Sequence, residues 1–413
     1  MTPIDEMLGS ASQAAAFVLR QAMKAAAQGT FAVGGCIVDN NSGRIIQAMH
    51  NNVLKPLDNT KKVFTFDPTA HGERQLVYWY YANKARLNLP APQDLTIVTT
   101  LDPCVMCTGT LLTAGFNVAV VAIDDFAGIN YDSTFTFTSL PPSLRALAKS
   151  KFGYYACGNS EQDPSVYVRT YIGGPRVKFK DSTVDAVFLA GCATIFQASV
   201  STVRNNSSDS GLDPSKLANP SHLPDKSPIK ARFREACPQA FTFSVPVGRM
   251  PDQELYNILV RAKDSTPHAK NAVALLDPFG NLVLCFADTF DQSPLHTAFM
   301  NVTQAYAMIR YGLMNSNDTR EEATKTLTHP KFGTFVFLNA PDPADSTTVM
   351  MLGAYGSTME GPVPQVFPAN FQFYNPPQEG TLEELYTVIS NLPPFYTQLA
   401  QLSVMQAAAG RPC

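Results

Sequence analysis

The sequence predicts an α/β fold, and three observations support that prediction. Apolar segments of strand length alternate with longer segments of helical periodicity along most of the chain. A hairpin pattern precedes helices and strands in alternation, which is typical of an α/β sandwich with some parallel strands. The chain has 413 residues, more than one ordinary domain needs, and a similar order of elements recurs in its second half. We therefore expect two α/β domains.

The elements of the first half follow this pattern in order. Phe17, Val18 and Gln21 lie near one face of a helix, and two short strands follow, joined by the turn-forming residues 39–43. The later elements rest on apolar periodicity and on β-branched runs. In chain order we predict a helix over 10–28, strands over 31–38 and 44–48, a helix over 70–84, a strand over 95–100, a helix over 104–114, a strand over 118–123, a helix over 144–152, a strand over 166–172 and a helix over 186–203.

The second half begins after a polar segment with the composition of a linker, rich in Asn, Ser and Pro. We place the domain boundary in this segment. The expected division is a first domain over 1–160, a connecting segment over 161–204, the linker over 205–228 and a second domain over 229–413. The elements predicted in the second domain are a helix over 252–263, strands over 271–276 and 281–288, a helix over 295–311, a strand over 334–338 and a helix near 347–353.

The composition excludes several classes of protein. Hydrophobic residues make up 45% and charged residues 16%, which fits a globular chain better than a disordered segment or a coiled coil. The net charge of −3 supplies no general attraction for polyphosphate, so nucleic acid would have to bind at a local patch. No uninterrupted run of roughly 18 or more apolar residues is present, and we expect no membrane partner.

The cysteines indicate a reducing compartment. Eight cysteines in 413 residues are too few for a disulfide scaffold, and Cys104 and Cys107 form the one close pair. The Ala-rich start of the chain carries charged residues and no evident cleavage site, so it reads as an amphipathic helix rather than a signal peptide. We expect a cytoplasmic protein with one metal or redox site.

Two segments carry the residues that point to chemistry. Residues 67–73 read Asp-Pro-Thr-Ala-His-Gly-Glu, and residues 99–109 read Thr-Thr-Leu-Asp-Pro-Cys-Val-Met-Cys-Thr-Gly. Each segment has Asp-Pro at the expected start of a helix, where Asp can cap free N–H groups and Pro suits the first helical position. The reactive residues are therefore expected in first helical turns.

These reactive residues fit a zinc site. Cys104 and Cys107 are three residues apart on one helical face, and the positive end of a helix favours their thiolate forms. His71 would complete a three-ligand tetrahedral site with an open fourth position, the arrangement typical of catalytic zinc. A Cys-x-x-Cys pair alone would more often be a redox or structural zinc pair. Its occurrence together with His-x-Glu at a second helix start favours the catalytic interpretation.

Glu73 is the expected proton carrier. It lies two residues past His71 and need not bind the metal. A zinc ion would make water nucleophilic at neutral pH, and Glu73 is placed to take a proton from that water and deliver it to a ring nitrogen and then to a leaving amine. The combination H-x-E with P-C-x-x-C is the known signature of zinc nucleobase deaminases.

Residues 10–155 resemble the cytidine deaminase-like superfamily. The two segments look like those of fungal-type cytosine deaminase, and they are equally similar to those of tRNA adenosine deaminases and bacterial guanine deaminases. The resemblance implies a three-layer α/β/α sandwich around a five-stranded mixed sheet, with zinc held between the starts of two helices by His71, Cys104 and Cys107. The resemblance is specific for the class of reaction, but it does not indicate which nucleobase is the substrate.

The resemblance also implies substrate contacts. An Asn at the end of the second strand contacts the base in this family, and Asn51 fits best, although Asn52 is adjacent and Asn51 could equally close a turn. Ala70, directly before His71, and Asp125, after the fourth strand, are further candidate contacts. Residues 52–66 are longer than the corresponding loop in many relatives and form an apparent insertion whose role is open.

The second domain is expected to be a degenerate copy of the first. His296 corresponds to His71 in the simplest alignment, but Ala298 replaces the glutamate, and Ala344 and Thr347 replace the two cysteines. Such a copy would bind no zinc and carry no proton. Because members of this superfamily commonly form dimers or tetramers, a tethered inactive partner in contact with the first domain is expected, and a homo-oligomer is allowed. The alternative is an unrelated α/β domain.

These observations predict a zinc-dependent hydrolytic deaminase that releases ammonia from a nucleobase. Adenine or cytosine within RNA or single-stranded nucleic acid, such as tRNA, is slightly favoured because the second domain is large for a free base. The alternatives are a deaminase of a free base or nucleoside, such as cytosine or guanine, and a non-catalytic zinc-stabilised binding module.

Overall fold

The structure is a computed structural model that describes residues 6–58, 60, 62–124, 127–130, 135–155, 166–167, 184–206, 214–246, 252–357, 371–393 and 404–406. Its first half contains nine strands and five helices among these residues. In chain order they are α1 Ala11–Gln28, β1 Gly34–Asp39, β2 Ile45–His50, β3 Leu54–Pro56, β4 Val63–Thr65, α2 Gly72–Leu87, β5 Leu95–Leu101, α3 Val105–Ala114, β6 Asn117–Ala122, α4 Pro142–Lys151, β7 Phe152–Tyr154, β8 Val166–Tyr167, β9 Val184–Asp185 and α5 Ala186–Asn206.

The described residues of the second half contain five strands and six helices. In chain order they are α6 Pro228–Ala236, α7 Gln253–Asp264, β10 Ala272–Leu276, β11 Leu282–Ala287, α8 Ala298–Asn315, α9 Arg320–Thr326, β12 Thr334–Asn339, α10 Ser346–Ser357, β13 Phe371–Asn375, α11 Leu382–Ser390 and β14 Val404–Gln406.

Each half is built on a five-stranded mixed sheet. The first sheet has the order β2-β1-β5-β6-β7, with β1 antiparallel to both neighbours and β6 parallel to both neighbours. The second sheet has the order β11-β10-β12-β13-β14, with the same sequence of antiparallel and parallel pairs. The predicted α/β class with mixed sheets is confirmed. The common ancestry of the two halves stays a prediction, which this shared strand order supports.

Alternate residues of each strand face different helical layers. In β1, Ile37 faces the core shared with α2 and α3, whereas Cys36 and Val38 face the core formed with α1 and α5. In β10, Val273 faces the layer that contains α8 and α10, whereas Ala274 faces the layer formed by α7. The first sheet is therefore the middle of a three-layer sandwich, as predicted.

One apolar core continues from the first sheet to the second. It contains buried residues of α2 and α3 from the first domain together with buried residues of α8 and α10 from the second. The helices α3 and α10 are in direct contact, and the Thr113 and Ser346 hydroxyls hydrogen-bond across them at 2.8 Å. The two domains are thus in contact, as expected, through a buried apolar layer that both of them form.

Several elements lie outside the sequence predictions. The insertion at 52–66 contains the hairpin β3–β4, which packs against α8 of the second domain. The described part of the linker, 214–228, also contacts the second domain, because the Ala218 amide donates to Lys325 O at 2.8 Å and Asn281 Nδ2 donates to Asn219 Oδ1 at 2.8 Å. Among the described strands and α-helices, those without a sequence prediction are β3, β4, β7, β9, α6, α9, β13, α11 and β14.

Helix α5 is long and apolar, and it is therefore relevant to the expectation that the protein has no membrane partner. Among the described residues it is the one helix whose length and composition would allow it to cross a membrane, and 22% of its most apolar stretch is buried within the protein. Its buried Leu189 and Cys192 pack on the outer face of the first sheet with α1. Its apolar character is interrupted by Thr194 and Gln197.

Candidate metal centre

The histidine of the first segment directly precedes helix α2. His71 is the N-cap of α2, with φ −69° and ψ 153°. The helix begins at Gly72, so Glu73 is in its first turn and is 2% exposed. The first helical turn therefore presents the imidazole and the carboxylate close together at one helix end.

The second segment is built in the same way. Cys104 is the N-cap of α3, with φ −65° and ψ 173°, and the helix begins at Val105. Cys107 is then in the first turn and is fully buried. Both helix starts therefore lie at the edge of the sheet where β5 ends and the antiparallel β1 begins, because α3 directly follows β5 and Gly72 lies near Val33 and Asn51.

The two aspartates of these segments do not cap the helices, contrary to the expectation. Asp67 Oδ1 accepts from the Thr69 amide at 2.8 Å and from the Thr69 hydroxyl at 2.5 Å, five residues before α2 begins. Asp102 accepts from the Asn130 amide at 2.6 Å and from the Tyr154 hydroxyl at 2.7 Å, and burial raises its pKa to about 8. Each helix starts later than the Asp-Pro pair indicates. Asp67 instead bonds within the loop before α2, whereas Asp102 connects the residues before α3 to Asn130 and Tyr154.

The structure brings the three expected metal ligands together. One ligand atom from each of His71, Cys104 and Cys107 lies within 4.8 Å of the other two. Cys104 Sγ and His71 Nδ1 are 3.5 Å apart. Within the described part of the chain, this is the one set of three or more His, Cys, Asp or Glu side chains arranged in this way.

The donor set fits zinc. Two thiolates and a neutral imidazole match the ligands and charge that zinc prefers, and three protein ligands leave the fourth position open. A hydrogen bond from Cys107 holds the pKa of Cys104 well below its ordinary value, with a further contribution from His71, whereas burial raises the pKa of Cys107. The thiolate form is thus favoured at Cys104 more than at Cys107, and zinc binding would require the Cys107 thiol to lose its proton.

Glu73 is held beside this ligand set. Thr99 Oγ1 donates to Glu73 Oε1 at 2.7 Å, and Cys107 Sγ is 3.5 Å from Glu73 Oε2. Burial raises the pKa of Glu73, and the nearby charge of Cys104 raises it further. A carboxyl group with a raised pKa is suited to accept and return a proton near neutral pH.

Thr99 begins the second of the two segments, but its contact with Glu73 was not predicted from the sequence. It lies on β5, within a continuous buried strand where a β-branched residue is expected for packing alone. The spacing of the motif carries no signal for this contact, because Thr99 and Glu73 are 26 residues apart and on different elements.

Asn51 lies at the end of β2, 1% exposed and close to the start of α2. A Cβ added at Gly72 would be 3.7 Å from the Asn51 backbone nitrogen. Asn51 Oδ1 accepts from the Thr30 hydroxyl and from the Val53 amide, both at 2.9 Å. These bonds hold the turn after β2, and they leave Asn51 Nδ2 without a hydrogen bond to any of the described residues.

The neighbouring candidates are engaged within the chain. Asn52 Nδ2 donates to His50 O and to Gln75 Oε1, at 3.1 and 3.0 Å. The Ala70 amide donates to Asp67 O at 3.0 Å, and Ala70 O accepts from the Asn52 amide at 2.8 Å. A substrate contact from Asn51 or Ala70 stays a prediction. Asp125 lies outside the described residues.

The structure corrects the alignment of the second domain. Thr297, not His296, is the N-cap of α8, and its φ −69° and ψ 154° nearly equal those of His71. By helix starts, Phe299 then corresponds to Glu73, rather than Ala298. Likewise α10 begins at Ser346, so Asp345 and Thr348 take the positions of the two cysteines, rather than Ala344 and Thr347. His296 lies one residue before the N-cap of α8 and two residues before the helix begins.

Comparison with known proteins matches the first domain to a deaminase family. Residues 10–123 match the family profile described as the cytidine and deoxycytidylate deaminase zinc-binding region. Over 103 residues the chain is 31% identical to a cytosine deaminase of Candida albicans. That match spans 25% of this chain and 59% of the length of the relative.

Solved structures with a detectable likeness include two kinds of deaminase. One comes from a study of tRNA:A34 deaminases that edit the wobble position of transfer RNA, with 20% identity, a TM-score of 0.22, and coverage of 28% of this chain and 80% of that one. Another is a guanine deaminase from Nitrosomonas europaea, with 16% identity, a TM-score of 0.29, and coverage of 48% and 88%. The match of residues 10–123 to a zinc-binding region agrees with the clustering of His71, Cys104 and Cys107, whose positions allow them to bind a metal ion.

Proposed function

We propose that this chain, whose residues 10–123 carry a zinc-binding region of the cytidine deaminase-like superfamily, is a zinc-dependent hydrolytic deaminase of a nucleobase amine. The observation that carries the proposal is the position of Glu73, buried beside the three metal ligands and hydrogen-bonded by Thr99. The reaction adds water to the ring carbon that bears the amine, and it releases ammonia and leaves a carbonyl.

The chain's own residues account for the proton movements. His71, Cys104 and Cys107 would hold zinc, which supplies Lewis-acid activation of a water molecule near neutral pH. Glu73 accepts a proton from the attacking water and donates it to the adjacent ring nitrogen. It then takes the remaining proton of the added water from the hydroxyl on the ring carbon and delivers it to the departing amine, so that the carbonyl forms and ammonia leaves as a neutral molecule. Thr99 holds one carboxylate oxygen, which leaves the other oxygen for the transfer.

A free base or nucleoside is the substrate class that we place first. The chain is 31% identical over 103 residues to a protein described as cytosine deaminase, which makes cytosine the first compound to test. The size of the second domain is the one feature of the sequence that favours a base within nucleic acid. Helices α8 and α10 of the second domain pack against the first domain. This packing gives the second domain a structural role that does not require nucleic acid.

A base within RNA or single-stranded nucleic acid is the second candidate. The target base would have to be unpaired or flipped out of a helix to reach the buried Glu73. Binding of this kind would weaken steeply with salt, because phosphate contacts release counterions. Ammonia release from a hairpin, but not from the matching free base, would identify this class.

The non-catalytic alternative is opposed by the environment of Glu73. A buried carboxyl group whose pKa is raised by burial costs stability, and a binding-only module has no use for it. A zinc-stabilised fold would be equally well served by an apolar residue at this position.

The decisive experiment measures ammonia release by the zinc-loaded full chain. The panel contains cytosine, guanine, adenosine, cytidine and short RNA hairpins, with metal content measured on the same samples. We expect activity on at least one compound, and we expect Glu73→Gln to lower kcat by about 10²- to 10⁴-fold without loss of zinc.

The matched control is Glu254→Gln, which removes a glutamate from the first turn of another helix, at an exposed position far from the motif. This variant should retain wild-type activity. If the zinc-loaded wild-type chain released no ammonia from any compound of the panel, the deaminase proposal would be abandoned.

A further inference from the structure

The loop that carries His71 is held from the second domain. Gln304 of α8 donates from Nε2 to Asp67 Oδ2 at 2.8 Å, across 237 residues of sequence. Asp67 is 3% exposed and begins the loop of five residues that ends at His71. Gln304 therefore contacts the first domain at the loop that positions one metal ligand.

Inside the first domain the contact continues to the start of α2. Asp67 Oδ1 accepts from both the amide and the hydroxyl of Thr69, at 2.8 and 2.5 Å. Arg74 Nη1 donates to Thr69 Oγ1 at 2.6 Å and to Thr69 O at 3.0 Å. Arg74 follows Glu73 in the chain, so the hydrogen bonds connect Gln304 to the helical turn that presents the imidazole and the carboxylate.

The network is buried and carries opposite charges. Thr69 is fully buried and Arg74 is 1% exposed, and the hydroxyl of Thr69 joins the Asp67 carboxylate to the Arg74 guanidinium. Charged groups that are buried in this way are sensitive to the loss of any partner, because the remaining group cannot regain its hydration. Gln304 is the partner that the second domain supplies to Asp67.

We propose that Gln304 is a positioning residue for the metal centre, and that the second domain acts on zinc binding through the hydrogen bond from Gln304 to Asp67. Gln304 touches neither the ligands nor the substrate in this assignment. It fixes the orientation of Asp67, which fixes Thr69 and thereby the path of the backbone into His71. The inference rests on the zinc site and goes beyond the proposed deaminase activity.

The test compares zinc affinity in full-length variants by competition with a chelator. Gln304→Leu removes the amide at similar volume, and we expect the zinc dissociation constant to rise about tenfold, as for the loss of other groups that orient metal ligands. Thermal unfolding of the metal-free proteins is recorded in parallel.

The matched control removes a similar interdomain hydrogen bond far from the motif. Asn315, also on α8, donates from Nδ2 to Asp58 Oδ2 at 2.9 Å and accepts from the Asp58 amide at 2.7 Å. Asn315→Leu weakens the contact between α8 and the hairpin β3–β4 but leaves Asp67 untouched. Its zinc dissociation constant should stay within about twofold of the wild-type value.

A charge exchange distinguishes positioning from general loss of packing. Gln304→Glu places a second carboxylate against Asp67, and we expect it to weaken zinc binding at least as much as Gln304→Leu. Adding Asp67→Asn recreates an amide and carboxylate pair with the roles exchanged. The double variant should bind zinc about fivefold more tightly than Gln304→Glu alone, within the usual coupling energy of neighbouring residues.

Two results would overturn the inference. One is a zinc affinity of Gln304→Leu equal to that of the wild type or of Asn315→Leu. The other, which decides the question if Gln304→Leu does not fold, is a double variant no better than Gln304→Glu. Zinc affinity is measured without substrate, so these results do not depend on whether the chain releases ammonia. A failure to observe deamination would count against the proposed function and not against the role of Gln304.

Discussion

At the scale of single residues, the candidate site depends on side chains that fix the orientation of others. Glu73 is buried, so a carboxylate oxygen without a hydrogen bond would destabilise the protein. The Thr99 hydroxyl donates to one of its two oxygens at 2.7 Å. The same bond selects the rotamer in which the second oxygen lies near Cys107. A proton carrier must stay within reach of both the water and the leaving group, so its orientation matters as much as its pKa.

We expect Thr99→Val to lower kcat about tenfold or more while zinc content stays at the wild-type level. The substitution keeps the shape of the side chain but removes a hydrogen bond to a charged group, which is typically worth about 1.5–3 kcal/mol. Steady-state ammonia release and metal analysis of the same samples provide the measurement.

Thr96→Val is the control for this prediction. Thr96 is also on β5 and fully buried, and its hydroxyl donates to Asn40 Oδ1 at 2.6 Å, away from the metal ligands. If both variants lost activity equally, the effect would belong to the strand as a whole, and the orienting role of Thr99 would be wrong.

At the scale of elements, α3, which follows Cys104 and contains Cys107, packs closely against the second domain. A Cβ added at Gly109 of α3 would lie 2.7 Å from Met350 Cα and 2.7 Å from Ser346 O of α10. A Cβ added at Gly353 of α10 would lie 2.6 Å from Met106 Cα. The absence of a side chain at these two positions lets the helical backbones approach, and this approach seats Cys107 in the interior.

Gly109→Ala should therefore destabilise the protein by about 1–3 kcal/mol, because the new methyl group meets backbone atoms that cannot rotate away. Urea unfolding gives the free energy. Gly312→Ala is the matched control in the interior of α8, where an added Cβ meets no atom within 4 Å.

The control should be stabilised by about 0.5–1 kcal/mol, because alanine loses less conformational entropy than glycine on helix formation. Equal changes in the two variants would mean that helix propensity, rather than the approach of α3 to α10, determines the effect.

At the scale of the whole molecule, the two sheets share one apolar core. Buried residues of α2, α3, α8 and α10 belong to the same cluster, and the hairpin β3–β4 extends the first domain onto α8. Separation of the halves would expose this apolar layer to water, at roughly 25 cal/mol for each Å². The second domain is thus part of the structure that supports the metal centre.

We expect the full chain to unfold in one cooperative transition. Trp79, the single tryptophan of the sequence, is on α2 and packs against the shared core, so its fluorescence reports on the first domain. Far-ultraviolet circular dichroism reports on both halves, and the two urea midpoints should coincide. A fluorescence transition clearly separate from the circular dichroism transition would show that the domains unfold independently.

The sequence by itself determined the class of the fold and the residues selected for the candidate metal centre. His71, Glu73, Cys104 and Cys107 could be selected because each segment places its reactive residues two or three positions apart at the start of a predicted helix, where local spacing controls geometry. Four of the five strands of the first sheet, β1, β2, β5 and β6, and most of the described helices could be predicted because burial on one or two faces imposes a period on the residues themselves.

Only the tertiary structure decided how that centre is supported. Thr99 contacts Glu73 across 26 residues and Gln304 contacts Asp67 across 237, and neither pair leaves a periodic signal because the partners belong to separate elements. The same holds for the helix starts, where Thr297 rather than His296 is the N-cap of α8. Local sequence patterns indicate which side chains are buried, whereas the contacts between buried side chains of different elements are fixed only by the tertiary fold.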